Sequence, residues 1–117
     1  MRKTCTLEKR KRELGNGLIT VHDGGYRSLL AHTEFQSSVL FGPASDVVAY
    51  IEIPKDHSDV GKGYDDLDPE VNGGLTFAEG RVFGWDYGHA HNDLDYEKHI
   101  ENALKYFRAR EEKIWRI

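Results

Sequence analysis

The stretch Asp46-Val47-Val48-Ala49-Tyr50-Ile51-Glu52-Ile53-Pro54 decides the fold. Alternation puts Val47, Ala49, Ile51 and Ile53 on one face and Val48, Tyr50 and Glu52 on the other, the period-two pattern of a strand. Pro54 removes a backbone donor and ends it. Apolar residues on both faces predict a central place in a sheet.

Outward from this strand the chain reads as a series of short elements. Upstream, Val39-Leu40-Phe41 is apolar and stops at Gly42-Pro43. Before it, the run Leu18 to Val21 is followed by His22-Asp23-Gly24-Gly25, whose Asp-Gly pair predicts a hairpin turn. Downstream, Lys55 to Asn72 forms a polar connection longer than a small domain tolerates without a function. Leu75 to Phe77 and Arg81 to Trp85 predict two strands around Ala78-Glu79-Gly80, with Gly80 at a position of positive φ. After Asp93 the period becomes helical: Tyr96, Ile100, Ala103, Leu104, Phe107 and Ile114 mark one face, and Lys98, Glu101, Lys105 and Arg108 the other. The spacing predicts a helix from about Asp95 to Lys113, capped by Asn92, Asp93 or Asp95. The expected class is α+β, a small twisted, mainly antiparallel sheet packed by a C-terminal amphipathic helix.

A chain of 117 residues holds one core. Residues 1–16 read as a polar N-terminal arm, because Gly15 and Gly17 break any helix begun at Leu7, and residues 17–117 as a single α+β domain. The net charge of -4 is unevenly spread. Lys9 to Arg12 is a basic block that reads as solvated, whereas Asp56 to Glu70 holds six acids against one lysine. An acidic chain with so short a basic block argues against nucleic-acid binding. The single Cys5 fits a reducing compartment, no apolar run reaches membrane-spanning length, and no targeting signal is legible, so a cytoplasmic location is expected.

Two groups of residues carry candidate chemistry. The first is Asp86-Tyr87-Gly88-His89-Ala90-His91-Asn92-Asp93: in extended backbone His89 and His91 face one way and, with Asp86 or Asp93 as an oxygen ligand, offer a site to a divalent metal such as Zn²⁺ or Mn²⁺. The same residues also serve as a bend and a helix cap. The second is Tyr64-Asp65-Asp66 followed by Asn72-Gly73-Gly74-Leu75-Thr76, where paired glycines let backbone amides approach an anion. Trp85 and its aromatic neighbours are a stacking wall or simply core. Cys5 lies near a terminus and no serine sits in a nucleophile elbow, so covalent hydrolysis is disfavoured and no catalytic residue is assigned.

The series Tyr50 to Pro54, His57, Gly61-Lys62, Tyr64-Asp65-Asp66, Asn72 to Phe77, Gly84-Trp85-Asp86 and Gly88-His89-Ala90 resembles a family of small uncharacterised bacteriophage and bacterial proteins. The resemblance covers roughly residues 47–93. It departs at Asn72, where that family usually carries a histidine, and at His91-Asn92-Asp93, where the last acid is displaced by one position. An amide at position 72 is a poor zinc ligand. What the resemblance implies is a phage-type accessory protein that antagonises host defence in the cytoplasm of a bacterial host.

Three functions follow as expectations. The first is non-catalytic binding of a nucleotide-derived ligand by Tyr64, Asp65, Asp66, Asn72, Gly73, Gly74, Thr76, Arg81, Trp85, Asp86 and His89, with the Gly74 amide and Arg81 on phosphate and with cations from a homo-oligomeric neighbour. It requires no cofactor. The second is a metal-dependent hydrolase with Asp86, His89, His91 and Asp65 or Asp66 around the ion and a remaining carboxylate as base. The third is an acidic interaction protein that blocks a host defence factor through Asp56 to Glu70. Convergence of Tyr64–Asp66, Gly73-Gly74 and Asp86–His91 at one cleft is expected under the first two.

Overall fold

The computed structural model describes residues 6–14, 19–27, 34–41, 47–88 and 93–115. In chain order these form α1 (Leu7–Leu14), β1 (Ile19–Arg27), β2 (Glu34–Phe41), β3 (Val47–Glu52), a 3₁₀ turn (Tyr64–Asp66), β4 (Phe77–Glu79), β5 (Val82–Asp86) and α2 (Tyr96–Trp115). The strands make a five-stranded sheet in the order β1-β2-β3-β5-β4, antiparallel at every pairing. The chain is therefore α+β, as its periodicity predicts.

β3 is the middle strand, and its two faces build two cores. Val47, Ala49, Ile51 and Ile53 join Phe35, Val39, Phe83 and Trp85 beneath Ile100, Ala103, Leu104 and Phe107 of α2. On the opposite face Tyr50 packs with Leu40, Val82 and Leu7 of α1. Gly84 is paired with Tyr50 across β3 and β5. A Cβ there would lie 2.6 Å from Tyr50 Cδ1, so only glycine lets the phenol ring lie against the sheet and meet Phe77 edge-on at 5.6 Å.

Two expectations are corrected. Residues 22–25 do not turn: β1 runs through them, and Gly24 and Gly25 pair with Ser37 and Gln36 of β2. Glycine adopts extended φ as readily as left-handed φ, so flanking strand partners decide between them. The basic block is also no solvated arm. Leu7 is buried, its amide donates to Glu52 Oε2 at 2.9 Å, Thr6 Oγ1 caps α1 by accepting from Lys9 N, and the Arg10 guanidinium lies 4.3 Å from the Phe77 ring centroid. Arg10 Nε also donates to Tyr50 Oη at 3.1 Å, so Arg10 of the block helps dock α1 on the sheet, whereas Lys9 faces Glu13 on its own helix and Arg12 is exposed.

The β4–β5 hairpin turns at Gly80 with φ 59, the positive value expected. β4 begins at Phe77 instead of Leu75, because Leu75 turns into the α2-side core. Asp95 is the cap of α2, its Oδ1 accepting from Lys98 N at 3.2 Å. Among the described residues, no helix is long and apolar enough to cross a membrane.

Candidate functional site

The long connection from residue 55 to residue 72 is a strap laid along α2, held at successive points. His57 Nδ1 accepts from Asp59 N at 3.1 Å, so Nε2 carries the proton and donates to the Phe107 carbonyl at 2.8 Å. The buried Asp59 carboxylate takes both Nε and Nη2 of Arg110 and Nζ of Lys62 at 2.9 Å. Farther on, Asp68 N donates to Tyr106 Oη at 3.1 Å, and Asn102 Nδ2 donates to the Glu70 carbonyl at 3.0 Å. From Asp59 to Glu70 the strap thus descends α2 from Arg110 to Asn102, antiparallel to the helix over about 12 Å.

Asn72 ends the strap as a brace. Its buried amide donates to the Asp86 carbonyl at 3.1 Å and accepts from Asp93 N at 3.0 Å, joining the strap, the end of β5 and the approach to α2. Both halves of the carboxamide are needed, which histidine would not reproduce in the same geometry.

Burial pushes the Asp59 carboxyl up, but the Arg110 and Lys62 contacts outweigh it and hold it below the ordinary carboxylate range. A second buried chain runs behind the brace: Trp85 Nε1 donates to Tyr87 Oη at 2.9 Å. Tyr87 Oη lies 2.6 Å from His99 Nδ1, and His99 Nε2 lies 3.5 Å from Asp93 Oδ2. Burial pushes the Tyr87 phenol up to about 12, so it stays protonated. The Asp93 carboxyl is lowered, first by the hydrogen bond from Asp95 N.

These contacts redistribute the predicted site residues. Asn72 brings the Gly73-Gly74 turn to the end of β5 near Asp86, whereas Tyr64–Asp66 lies between the Asp59 and Asp68 anchors. Gly73 and Gly74 have φ of 70 and 82, but Gly74 N donates to the Val71 carbonyl at 3.1 Å, which removes it as an anion donor. Arg81 Nε donates to the Ile53 carbonyl at 2.9 Å, and Nη2 faces Glu52 at 3.8 Å. Thr76 N closes onto the Gly84 carbonyl. Trp85 is 1% exposed and belongs to the core, so it offers no stacking face to a ligand. Asp86 Oδ1 accepts from Gly88 N. His89 and His91 lie outside the described residues; among those described, no group of three His, Cys, Asp or Glu is placed to hold a metal.

What the strap displays is negative charge. Asp56, Asp65, Asp66, Asp68 and Glu70 are all exposed, as is Tyr64 at 47%. Asp66 Oδ2 accepts from Gly63 N and shapes the 3₁₀ turn. An open depression of about 300 Å³ lies between strap and helix, lined by Asp68, Glu70, Asn102, Lys105 and Tyr106. The acidic segment is legible in the sequence, whereas the framework of Asp59, Arg110, Tyr87 and His99 behind it is not, its one local sign being Asp59 beside the apolar Val60. No family model, curated protein or solved structure matches this chain.

Proposed function

We propose that this chain is a non-catalytic binding protein whose acidic strap docks a basic segment of a protein partner. The observation that supports this reading most directly is the display of Asp65, Asp66, Asp68 and Glu70 on a strap anchored to α2 by buried His57 and Asp59. Charges held on a preorganised loop lose less conformational freedom on binding than charges on a free one, and they raise the association rate of an oppositely charged partner. The phosphate contacts that a nucleotide would need, the Gly74 amide and Arg81, are engaged within the chain, and two acidic residues, Asp68 and Glu70, are among those lining the depression between strap and helix. The family resemblance supplies the biological class: a phage-type accessory protein that occupies the basic face of a host defence factor in the bacterial cytoplasm.

The test is calorimetric titration of the purified chain with an arginine-rich peptide at two salt concentrations, beside incubation with cyclic and ADP-ribose-type nucleotides and analysis of what is recovered. Peptide binding that weakens with salt, with nucleotides left in solution, is the expected result. Depletion of a nucleotide that is recovered intact after denaturation would replace this reading with nucleotide sequestration. A cleaved product that needs Zn²⁺ or Mn²⁺ and disappears in His89→Ala would replace it with metal-dependent hydrolysis.

A further inference from the structure

We infer that the depression between the strap and α2 is a socket for one arginine side chain of the basic partner, an inference that rests on the proposed docking function. Its walls come from two elements: Asp68 and Glu70 from the strap, and Asn102, Lys105 and Tyr106 from α2. The hydrogen bonds from Asp68 N to Tyr106 Oη and from Asn102 Nδ2 to the Glu70 carbonyl fix the spacing of these walls through the backbone. The carboxylates of Asp68 and Glu70 are left out of that bracing, and neither has an ion-pair partner among the described residues. The cation in the lining, Lys105, lies 3.1 Å from Glu101 on its own helix, so the depression keeps a negative balance.

Shape and chemistry favour a guanidinium. The volume of about 300 Å³ is at the lower limit of the roughly 300–1,000 Å³ typical of ligand sites, which suits a side chain better than a whole peptide. A guanidinium is planar, presents several donors in a fork to two carboxylates, and is more weakly hydrated than an ammonium.

The experiment uses the full chain and three probes: N-acetyl-arginine amide followed by amide NMR shifts, an arginine-rich peptide, and the same peptide with lysine at every arginine. The expected result is amide shifts confined to residues 68–70 and 102–106, and a lysine peptide that binds several-fold more weakly. The paired variant Asp68→Asn/Glu70→Gln should lose about tenfold or more in peptide affinity, and Asp65→Asn/Asp66→Asn less. Equal affinity for both peptides, or full affinity in Asp68→Asn/Glu70→Gln, would overturn the socket while leaving the acidic strap as the docking surface. No binding of either peptide would overturn the docking function itself. Amide spectra unchanged in each variant away from its own substituted segment, residues 68–70 in one and 63–66 in the other, show that a loss of affinity is not a loss of fold.

Discussion

His57 and Phe107 are joined across 50 residues by a 2.8 Å hydrogen bond from an imidazole N–H to a helical carbonyl. The bond works because Asp59 N occupies the other ring nitrogen, which selects the tautomer. His57 also meets the Phe107 ring edge-on at 5.8 Å. One buried residue thus fixes both the backbone of the strap and the side on which it meets α2, and the carboxylate two residues later locks the fit to Arg110.

Asp59→Ala should destabilise the chain strongly. It leaves Arg110 and Lys62 without the carboxylate that both contact. Removing one partner of a fully buried pair costs roughly 3–5 kcal/mol, but Arg110 and Lys62 are partly exposed and regain water, so the expected loss is about 2–3 kcal/mol. Urea unfolding of Asp59→Ala, Arg110→Ala and the double variant measures the coupling. Additive losses would mean that the two side chains contribute separately.

The same carboxylate sets an acid limit. Its folded value lies below the ordinary one, so near and below pH of about 4 the unfolded chain binds the extra proton more readily. The stabilisation is complete above that pH and is lost as pH falls through the folded value. Stability curves between pH 2 and 6 should be flatter for Asp59→Asn than for the parent chain in this acid range; identical slopes would assign the acid sensitivity to other groups.

Gly84→Ala should cost about 1–3 kcal/mol by overpacking, since its new Cβ would meet the Tyr50 ring. The cost should shrink in a Tyr50→Leu background, where no rigid ring covers position 84. Thermal unfolding of the two single variants and the double variant decides this, and an equal cost in both backgrounds would place the strain in the backbone.

Much of this architecture was legible because it is periodic. Val47, Ala49, Ile51 and Ile53 announce β3 and its core face, and Ile100, Leu104 and Phe107 announce the buried side of α2. Truncating Phe107 to Ala should cost on the order of 3–5 kcal/mol, and a loss below about 1 kcal/mol would contradict the packing. The site was less legible, for a physical reason. His57, Asp59 and Asn72 act through partners 50, 51 and 21 residues away, and a polar residue whose partner is distant looks like any solvated loop residue. Gly24-Gly25 misled for the converse reason: a local turn signal was overridden by pairing with Ser37 and Gln36.

The strap carboxylates should separate binding from stability. Asp65, Asp68 and Glu70 are exposed and lie outside the buried clamp, and Asp66 contributes a side-chain oxygen to the turn that asparagine retains. Replacing all four by the neutral amides Asp65→Asn, Asp66→Asn, Asp68→Asn and Glu70→Gln should change unfolding free energy by no more than about 0.5 kcal/mol, the range of ordinary surface substitutions. Relief of repulsion among like charges within the strap pushes toward slightly greater stability. Binding of an arginine-rich peptide depends on those charges directly, so its association rate and the salt dependence of its affinity should both collapse in the same variant. Stopped-flow association at low and moderate salt, run beside urea unfolding, reads the two properties independently. A variant that keeps its salt-dependent association would locate the docking surface away from the strap, and one that loses stability instead would make these carboxylates part of the fold.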